Sequence, residues 1–424
     1  MPETTDKPFG FWTATALVVG GMIAAGVFIL PAQMAPYGVW SIAAWVLAIG
    51  GSLLLALVFI ALHKALPQAR GAVELAEHGL GPLAGTLVGW AYWISILCSN
   101  AVIALTAAGY LASIVPGLEG TRSSLLACGL ILALTLLNIA GTRIAGWFQV
   151  GATAAKVVPL LGAALLLGWV AMQGGMAAGP LPVPQLGNDL FAPLTAAMYA
   201  LLGFEAASVA AARVRDPGRN VARATLAGLA FAGVLYMVIC TGMALAVPAA
   251  ELAASQAPFA LLFDRFAGSG SAALIAAAAA LAAFGALNGW VLLQGEVPQA
   301  MALSGTLPRW FARSNVQGIP VRTHLLSCAI TIGLVLTQIG GALSEVLTFM
   351  VTLTTATSLW LYLAIAISGI RLKAAPWAAW SGLIFTLLVM WGTGWGISLL
   401  SLVLMLSGLP FYLWAKAPRR TGRL

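Results

Sequence analysis

The chain has 424 residues, of which 61% are hydrophobic and 8% charged, whereas a soluble globular protein carries about 25% charge. Twenty basic and twelve acidic side chains give a net charge of +8, too few to hydrate the surface of a water-soluble fold this long, and mean hydropathy is +0.99. A soluble enzyme is excluded, and the composition is that of an all-α polytopic membrane protein.

The apolar runs reach the roughly 20 residues that a spanning helix needs and are too long for barrel strands, which alternate in segments of about 10. Twelve transmembrane helices are predicted in chain order, at about 10–32, 39–63, 83–114, 123–141, 147–171, 190–213, 222–248, 271–303, 321–340, 344–369, 375–394 and 396–416. The first apolar run continues past the length of a signal core and follows Glu3 and Asp6, so no signal peptide is expected. The longest extramembrane stretches are 172–189 and the basic loops 64–82 and 304–320, and one membrane domain is expected over 1–424. With these spans, seventeen of the twenty Lys and Arg residues fall on one side of the bilayer. The other side has Arg122 and Arg265, and Lys156 lies inside a span. Basic residues are retained in the cytoplasm, so both termini are expected there. The basic clusters sit between spans without interleaved aromatics, which speaks for topology and against nucleic acid. Cys98, Cys128, Cys240 and Cys328 lie in apolar stretches without paired spacing, so neither a disulfide framework nor a metal site is expected.

Two spans look interrupted. In the first, Gly20–Gly21–Met22–Ile23–Ala24–Ala25–Gly26 sets three glycines near mid-membrane, with Pro31 further on; in the sixth, Gly203 precedes Phe204 and Glu205. Glycine in a membrane helix can be a packing residue alone. Two breaks at the starts of successive five-helix blocks are more specific, because corresponding interruptions in two halves mark an inverted-repeat transporter with a midplane site. Unwound backbone within the membrane must line a protein-enclosed cavity. The amides that open the half-helix after Ala25 and Gly26 suit a carboxylate, and the carbonyls ending the half-helix before Gly203 suit an ammonium. A site with both fits an α-amino acid.

Three ionisable residues lie well inside spans, Lys156, Glu205 and Glu296; each would cost about 2.5–3.5 kcal/mol at the centre of an unpaired helix. Glu205 abuts the second break and is either satisfied by unwound amides or senses a cationic substrate. Lys156 either snorkels to the surface or donates to unwound carbonyls of the first span. Glu296 stands near a span end, as an inner gate or a solvated residue. Trp290, Tyr92, Trp93, Asn100 and Tyr199 could pack or line a pocket, where aromatic faces favour ammonium and guanidinium groups. A membrane-embedded enzyme would need clustered catalytic groups; His63 and His78 sit in or beside a loop, His324 is at a span end, and no second carboxylate accompanies Glu205.

The stretches Gly20–Pro31, Leu202–Ala211 and Asp216–Val221 resemble the first and sixth helices of the amino acid–polyamine–organocation superfamily, and the similarity continues through Asn288–Gly289–Trp290. Within it the chain is most similar to bacterial arginine/agmatine antiporters and related basic amino acid/polyamine antiporters. The resemblance implies a five-plus-five inverted repeat with discontinuous helices 1 and 6. Its first repeat would cover about 10–171, its second about 190–369, and two extra helices about 375–416. It also implies alternating access in a bacterial inner membrane, often as a homodimer, with an amino acid or amine as substrate and no cofactor. By position, Ile23, Ala24, Ala25 and Gly26 would hold the substrate carboxylate, and Tyr199 and Leu202 would line the pocket beside Gly203. Glu205 would match the sixth-helix glutamate, Trp290 a gating tryptophan, Asn100 a residue near the substrate's distal group, and Tyr92 an outer-gate tyrosine. Two departures stand out. Ala24–Ala25–Gly26 removes the hydroxyl of the antiporters' Gly-Ser-Gly. Lys156 resembles a lysine of exchanger and proton-coupled branches for neutral amino acids, whose ammonium replaces sodium. The resemblance thus implies sodium independence and leaves cationic and neutral substrates open.

Overall fold

A spanning segment must satisfy its backbone N–H and C=O groups without water, and a helix does so within itself. The computed structural model describes residues 11–23, 26–38, 40–69, 71–176, 188–204, 217–337, 339 and 343–416. Among them are helices and turns and no strand. In chain order the helices are α1 (Phe11–Met22), α2 (Gly26–Met34), α3 (Trp40–Ala65), α4 (Ala72–Leu80), α5 (Pro82–Ala112), α6 (Thr121–Ala140), α7 (Thr142–Met172), α8 (Asn188–Leu201) and α9 (Pro217–Ala246). They continue with α10 (Ala249–Ala254), α11 (Pro258–Ala267), α12 (Ser269–Leu303), α13 (Arg309–Ala312), α14 (Val321–Leu336), α15 (Leu343–Arg371), α16 (Pro376–Gly392), α17 (Gly394–Leu406) and α18 (Leu409–Lys416). Seven of the described helices are long and apolar enough to cross a membrane, the last being α17 and α18 taken together, and shorter apolar helices lie at 156–172, 191–201, 321–336 and 376–392.

Burial ranks these helices. In α5, 89% of the most apolar stretch is buried, against 17% for Gly394–Lys416. The first is therefore the axis of the bundle, packed on α4, α6, α12, α14 and α15, and the second lies at its edge. Trp391, Trp395 and Leu399 are exposed on that edge, which in a bilayer is an ordinary lipid-facing surface. Small residues let backbones approach where helices cross. A Cβ on Gly228 of α9 would lie 2.8 Å from Val18 of α1, and one on Gly51 of α3 would overlap the Phe385 ring of α16.

The structure adds helices where the sequence predicts loops. α4 lies inside the predicted loop 64–82, α10 and α11 fall between two predicted spans, and α13 lies inside 304–320. None is long enough to read as a span. α4 forms because Leu75, Ala76 and Gly79 share one face and are buried, against α5 and α15.

Candidate functional site

The first predicted span is two helices. α1 ends at Met22, although the Ile23 amide still donates to the Val19 carbonyl at 2.8 Å, and α2 starts at Gly26. Ala24 and Ala25 lie outside the described residues. Carbonyls in the last turn of a helix are open to donors from outside it. In α1, that of Gly20 accepts from Lys156 Nζ at 3.2 Å. Lys156 is 4% exposed, so the snorkelling alternative is ruled out: the ammonium is drawn inward to the break. An ammonium out of water needs such an acceptor.

The second predicted break is also a helix end. α8 stops at Leu201, the Leu202 amide donates three residues back to the Tyr199 carbonyl at 3.2 Å, and Gly203 has φ +96°, a conformation that favours glycine. Phe204 anchors the turn. It stacks on Tyr362 of α15 with centroids 5.4 Å apart and meets Phe59 of α3 edge-on at 5.8 Å. Glu205 lies outside the described residues.

These breaks meet each other. A Cβ on Gly203 would lie 3.4 Å from the Gly21 carbonyl oxygen and 3.9 Å from Trp290 Cζ2, and one on Gly26 would lie 2.8 Å from the Tyr199 ring. Ile23, Gly26, Tyr199, Leu202, Gly203, Trp290 and Lys156 are thus gathered on or beside two apposed helix ends. Ile23, Tyr199 and Leu202 are buried, and Trp290 is half-buried. Asn100, also fully buried, donates to Gln294 Oε1 at 2.7 Å and reaches the Trp290 carbonyl at 3.4 Å. Tyr92 lies eight positions before Asn100 on α5, about 12 Å along the axis at 1.5 Å per residue, and on the side of the basic loop that precedes Pro82. Glu296 is exposed near the end of α12 and apart from these contacts. Thr354, Thr355 and Thr357 of α15 donate back to the carbonyls of Met350, Val351 and Leu353, and Thr355 Oγ1 also lies 3.4 Å from the Thr195 carbonyl of α8.

Reading only ionisable groups inside spans misses a set of buried neutral ones. Gln294 Nε2 lies 3.4 Å from Thr135 Oγ1, and Asn138 Nδ2 donates to Asn288 Oδ1 at 3.0 Å. Trp93 packs inside the bundle. It is buried, and its Nε1 donates to the Gln294 carbonyl at 3.0 Å. The signal available in the sequence was Thr135 and Asn138 one turn apart in an apolar run, matched by Asn288 and Gln294.

An open cavity lies elsewhere among the described residues. It has a volume of about 600 Å³ between the end of α5, α11 and the start of α12, with Ser113, Glu119, Gln256 and Asp264 among its lining residues. It adjoins a buried cluster in which Tyr110 Oη donates to the Phe28 carbonyl at 2.8 Å and accepts from the Phe259 amide at 3.3 Å. Among the described residues no group of three or more His, Cys, Asp and Glu could hold a metal ion, and the four cysteines are unpaired.

A bundle of apolar helices in which a broken first helix meets the end of another matches the way membrane transporters build a site. The chain belongs to the amino acid permease family, whose model matches residues 9–423. It is 30% identical over 407 residues to the "Putative arginine/ornithine antiporter" of Bacillus subtilis, covering 86% of this chain and 84% of that one. To the cadaverine/lysine antiporter of Escherichia coli it is 27% identical over 328 residues, 76% and 73% of the two chains. To the putrescine transporter PotE of Haemophilus influenzae it is 29% identical over 378 residues, 87% and 86%. Among solved structures it is similar in fold to an Eremococcus coleocola manganese transporter, with a TM-score of 0.52, 14% identity and coverage of 98% of each chain. A histidine-to-alanine mutant of that transporter gives 0.54, again at 14% identity.

Proposed function

We propose that this multi-pass membrane protein is a sodium-independent amino acid antiporter of the bacterial inner membrane, exchanging a cationic amino acid for its decarboxylated amine by alternating access. The observation that carries this reading is the apposition of the two helix ends with Lys156 Nζ on the Gly20 carbonyl. A fixed ammonium at that carbonyl takes the place a mobile cation would occupy. The names of the relatives, antiporters and transporters of arginine, ornithine, lysine, cadaverine and putrescine, support the substrate class.

In this reading the chain has twelve spans in one domain, five plus five with two more, and both termini in the cytoplasm. Ile23, Ala24, Ala25 and Gly26 face the substrate carboxylate; Tyr199, Leu202, Gly203 and Trp290 close around its stem; Asn100 stands at its distal end. Glu205 selects charge or carries a proton. With the basic loops inside, Tyr92 lies inward of Asn100 and gates the inner mouth, so the outer-gate role does not suit its place on α5.

A neutral amino acid exchanger, proton-coupled permease or exporter is the second reading. Lys156 favours it, because a buried positive charge beside the pocket repels a cationic substrate, and Ala24–Ala25 offers no hydroxyl. Proteoliposomes preloaded with arginine separate the two. Arginine uptake that is fast, poorly competed by alanine and indifferent to sodium supports the first reading, whereas alanine uptake with arginine ignored establishes the second. In Lys156→Ala, transport that becomes strictly sodium-dependent is the expected result. Transport that stays sodium-independent removes the cation-surrogate role.

A further inference from the structure

The two ends of the Asn100 amide are not equivalent. Nδ2 donates to Gln294 Oε1 at 2.7 Å and lies 3.4 Å from the Trp290 carbonyl oxygen, while Oδ1 is buried without a hydrogen-bond partner. Exchanging oxygen and nitrogen would set the side-chain oxygen against the Trp290 carbonyl, acceptor against acceptor, so the main chain of α12 decides which end is which. Gln294 then has no choice either. Its Oε1 must receive Asn100, and its Nε2 must face Thr135 Oγ1 at 3.4 Å, where a hydroxyl can accept. The residue is held from behind as well. The Gln294 carbonyl accepts from Trp93 Nε1 at 3.0 Å and Ser327 Oγ at 2.9 Å, and the next carbonyl, of Gly295, accepts from Thr323 Oγ1 at 2.9 Å.

The chain Thr135–Gln294–Asn100 therefore has a fixed polarity and ends in one unsatisfied acceptor. A buried amide oxygen without a donor is costly, and Asn100 adjoins residues of the two apposed helix ends. Trp290, whose carbonyl orients Asn100, has its ring against the Gly203 turn, and Ser99, the neighbour of Asn100, lies beside the Tyr199 hydroxyl. We infer that Gln294 is a positioning residue that determines specificity: it holds Asn100 so that the far end of the substrate meets an acceptor and no donor. Side chains ending in N–H groups, guanidinium, ammonium or primary amide, are selected over aliphatic ones. The inference rests on the proposed amino acid site and narrows what that site takes.

The test is uptake by the full-length protein in proteoliposomes, with arginine, glutamine and alanine measured separately. Gln294→Leu frees Asn100 to turn, and the KM for arginine and glutamine should rise about tenfold, the loss of roughly 1.4 kcal/mol of binding, while kcat and the KM for alanine hold. Gln294→Glu keeps an oxygen facing Asn100 Nδ2 and should retain the selectivity. Thr135→Val, at the far end of the chain, should lose selectivity in the same direction by less, and it carries the test if Gln294→Leu does not fold. An equal loss for all three substrates in Gln294→Leu, or an unchanged ratio between them, overturns the role of Gln294. Wild-type protein that ignores arginine yet prefers glutamine to alanine, with that preference lost in Gln294→Leu, overturns the cationic reading and keeps this one. Wild-type protein that transports no amino acid overturns both.

Discussion

Gly203 and Lys156 act on the same few ångströms of backbone by different physics. Gly203 has φ +96°, and a Cβ added there would meet the Gly21 carbonyl oxygen at 3.4 Å and Trp290 at 3.9 Å, both ordinary contacts. Backbone strain, not collision, is thus the cost of Gly203→Ala, about 1–3 kcal/mol for a side chain held in that region. Gly26 is the opposite case. Its Cβ would lie 2.8 Å from the Tyr199 ring, so only a substitution that also shortens Tyr199 relieves it. The expected outcome for Gly203→Ala is a protein that still inserts but melts several degrees lower in detergent, and shortening Trp290 should not restore it. Full recovery on shortening Trp290 would mean that sterics dominate and the strain argument is wrong. Lys156 adds a charge where Gly203 adds a turn. Its ammonium stands 3.2 Å from the Gly20 carbonyl oxygen, in the last turn of α1.

At the scale of elements, the spans were legible because about 20 apolar residues in a row have few other uses. The break in the first span was legible because clustered glycines such as Gly20, Gly21 and Gly26 are uncommon inside such runs. The short helices were not legible, since they form by docking. α4 carries Glu77 and Gly79 against neighbours: a Cβ on Gly85 of α5 would meet Glu77, and one on Gly79 would overlap Ser368 of α15. Burial there raises the Glu77 carboxyl above its ordinary value of 4.5. The folded chain then holds that proton more tightly than the unfolded chain, so stability is full below the ordinary value and falls as pH rises through the raised one. Glu77→Gln should flatten this slope and leave the protein as stable as the wild type or slightly more so near neutral pH. Melting temperatures across pH 4 to 8, a span that runs from about the usual carboxylate range to well above it, check it; a variant less stable than wild type at neutral pH would mean the ionised form is favoured. The Asn100–Gln294 pair escaped the sequence reading for a related reason. Neutral polar residues in membrane helices are commonly satisfied by their own preceding turn, as Thr106 and Thr354 are, and only packing reveals which ones reach a neighbour.

For the whole molecule the governing asymmetry is charge. Seventeen basic residues fall on one side of the predicted spans and two on the other, and translocating so many cations would oppose the usual retention of Lys and Arg in the cytoplasm. On the proposed orientation, the cavity with Glu119 and Asp264 lies on the outer side and Tyr92 towards the inner one. Two exposed positions test it, Thr121 at the start of α6 and Ser314 between α13 and α14. The native thiols Cys98, Cys240 and Cys328 are buried and Cys128 is partly so, and replacing all four with alanine leaves a background for single cysteines. In intact cells a membrane-impermeant maleimide should label Thr121→Cys and spare Ser314→Cys until the membrane is opened. The reverse pattern would place the basic loops outside and exchange the two mouths. Labelling of both in intact cells would mean that α6 and α14 do not start on opposite faces, and the twelve-span order would fail with it.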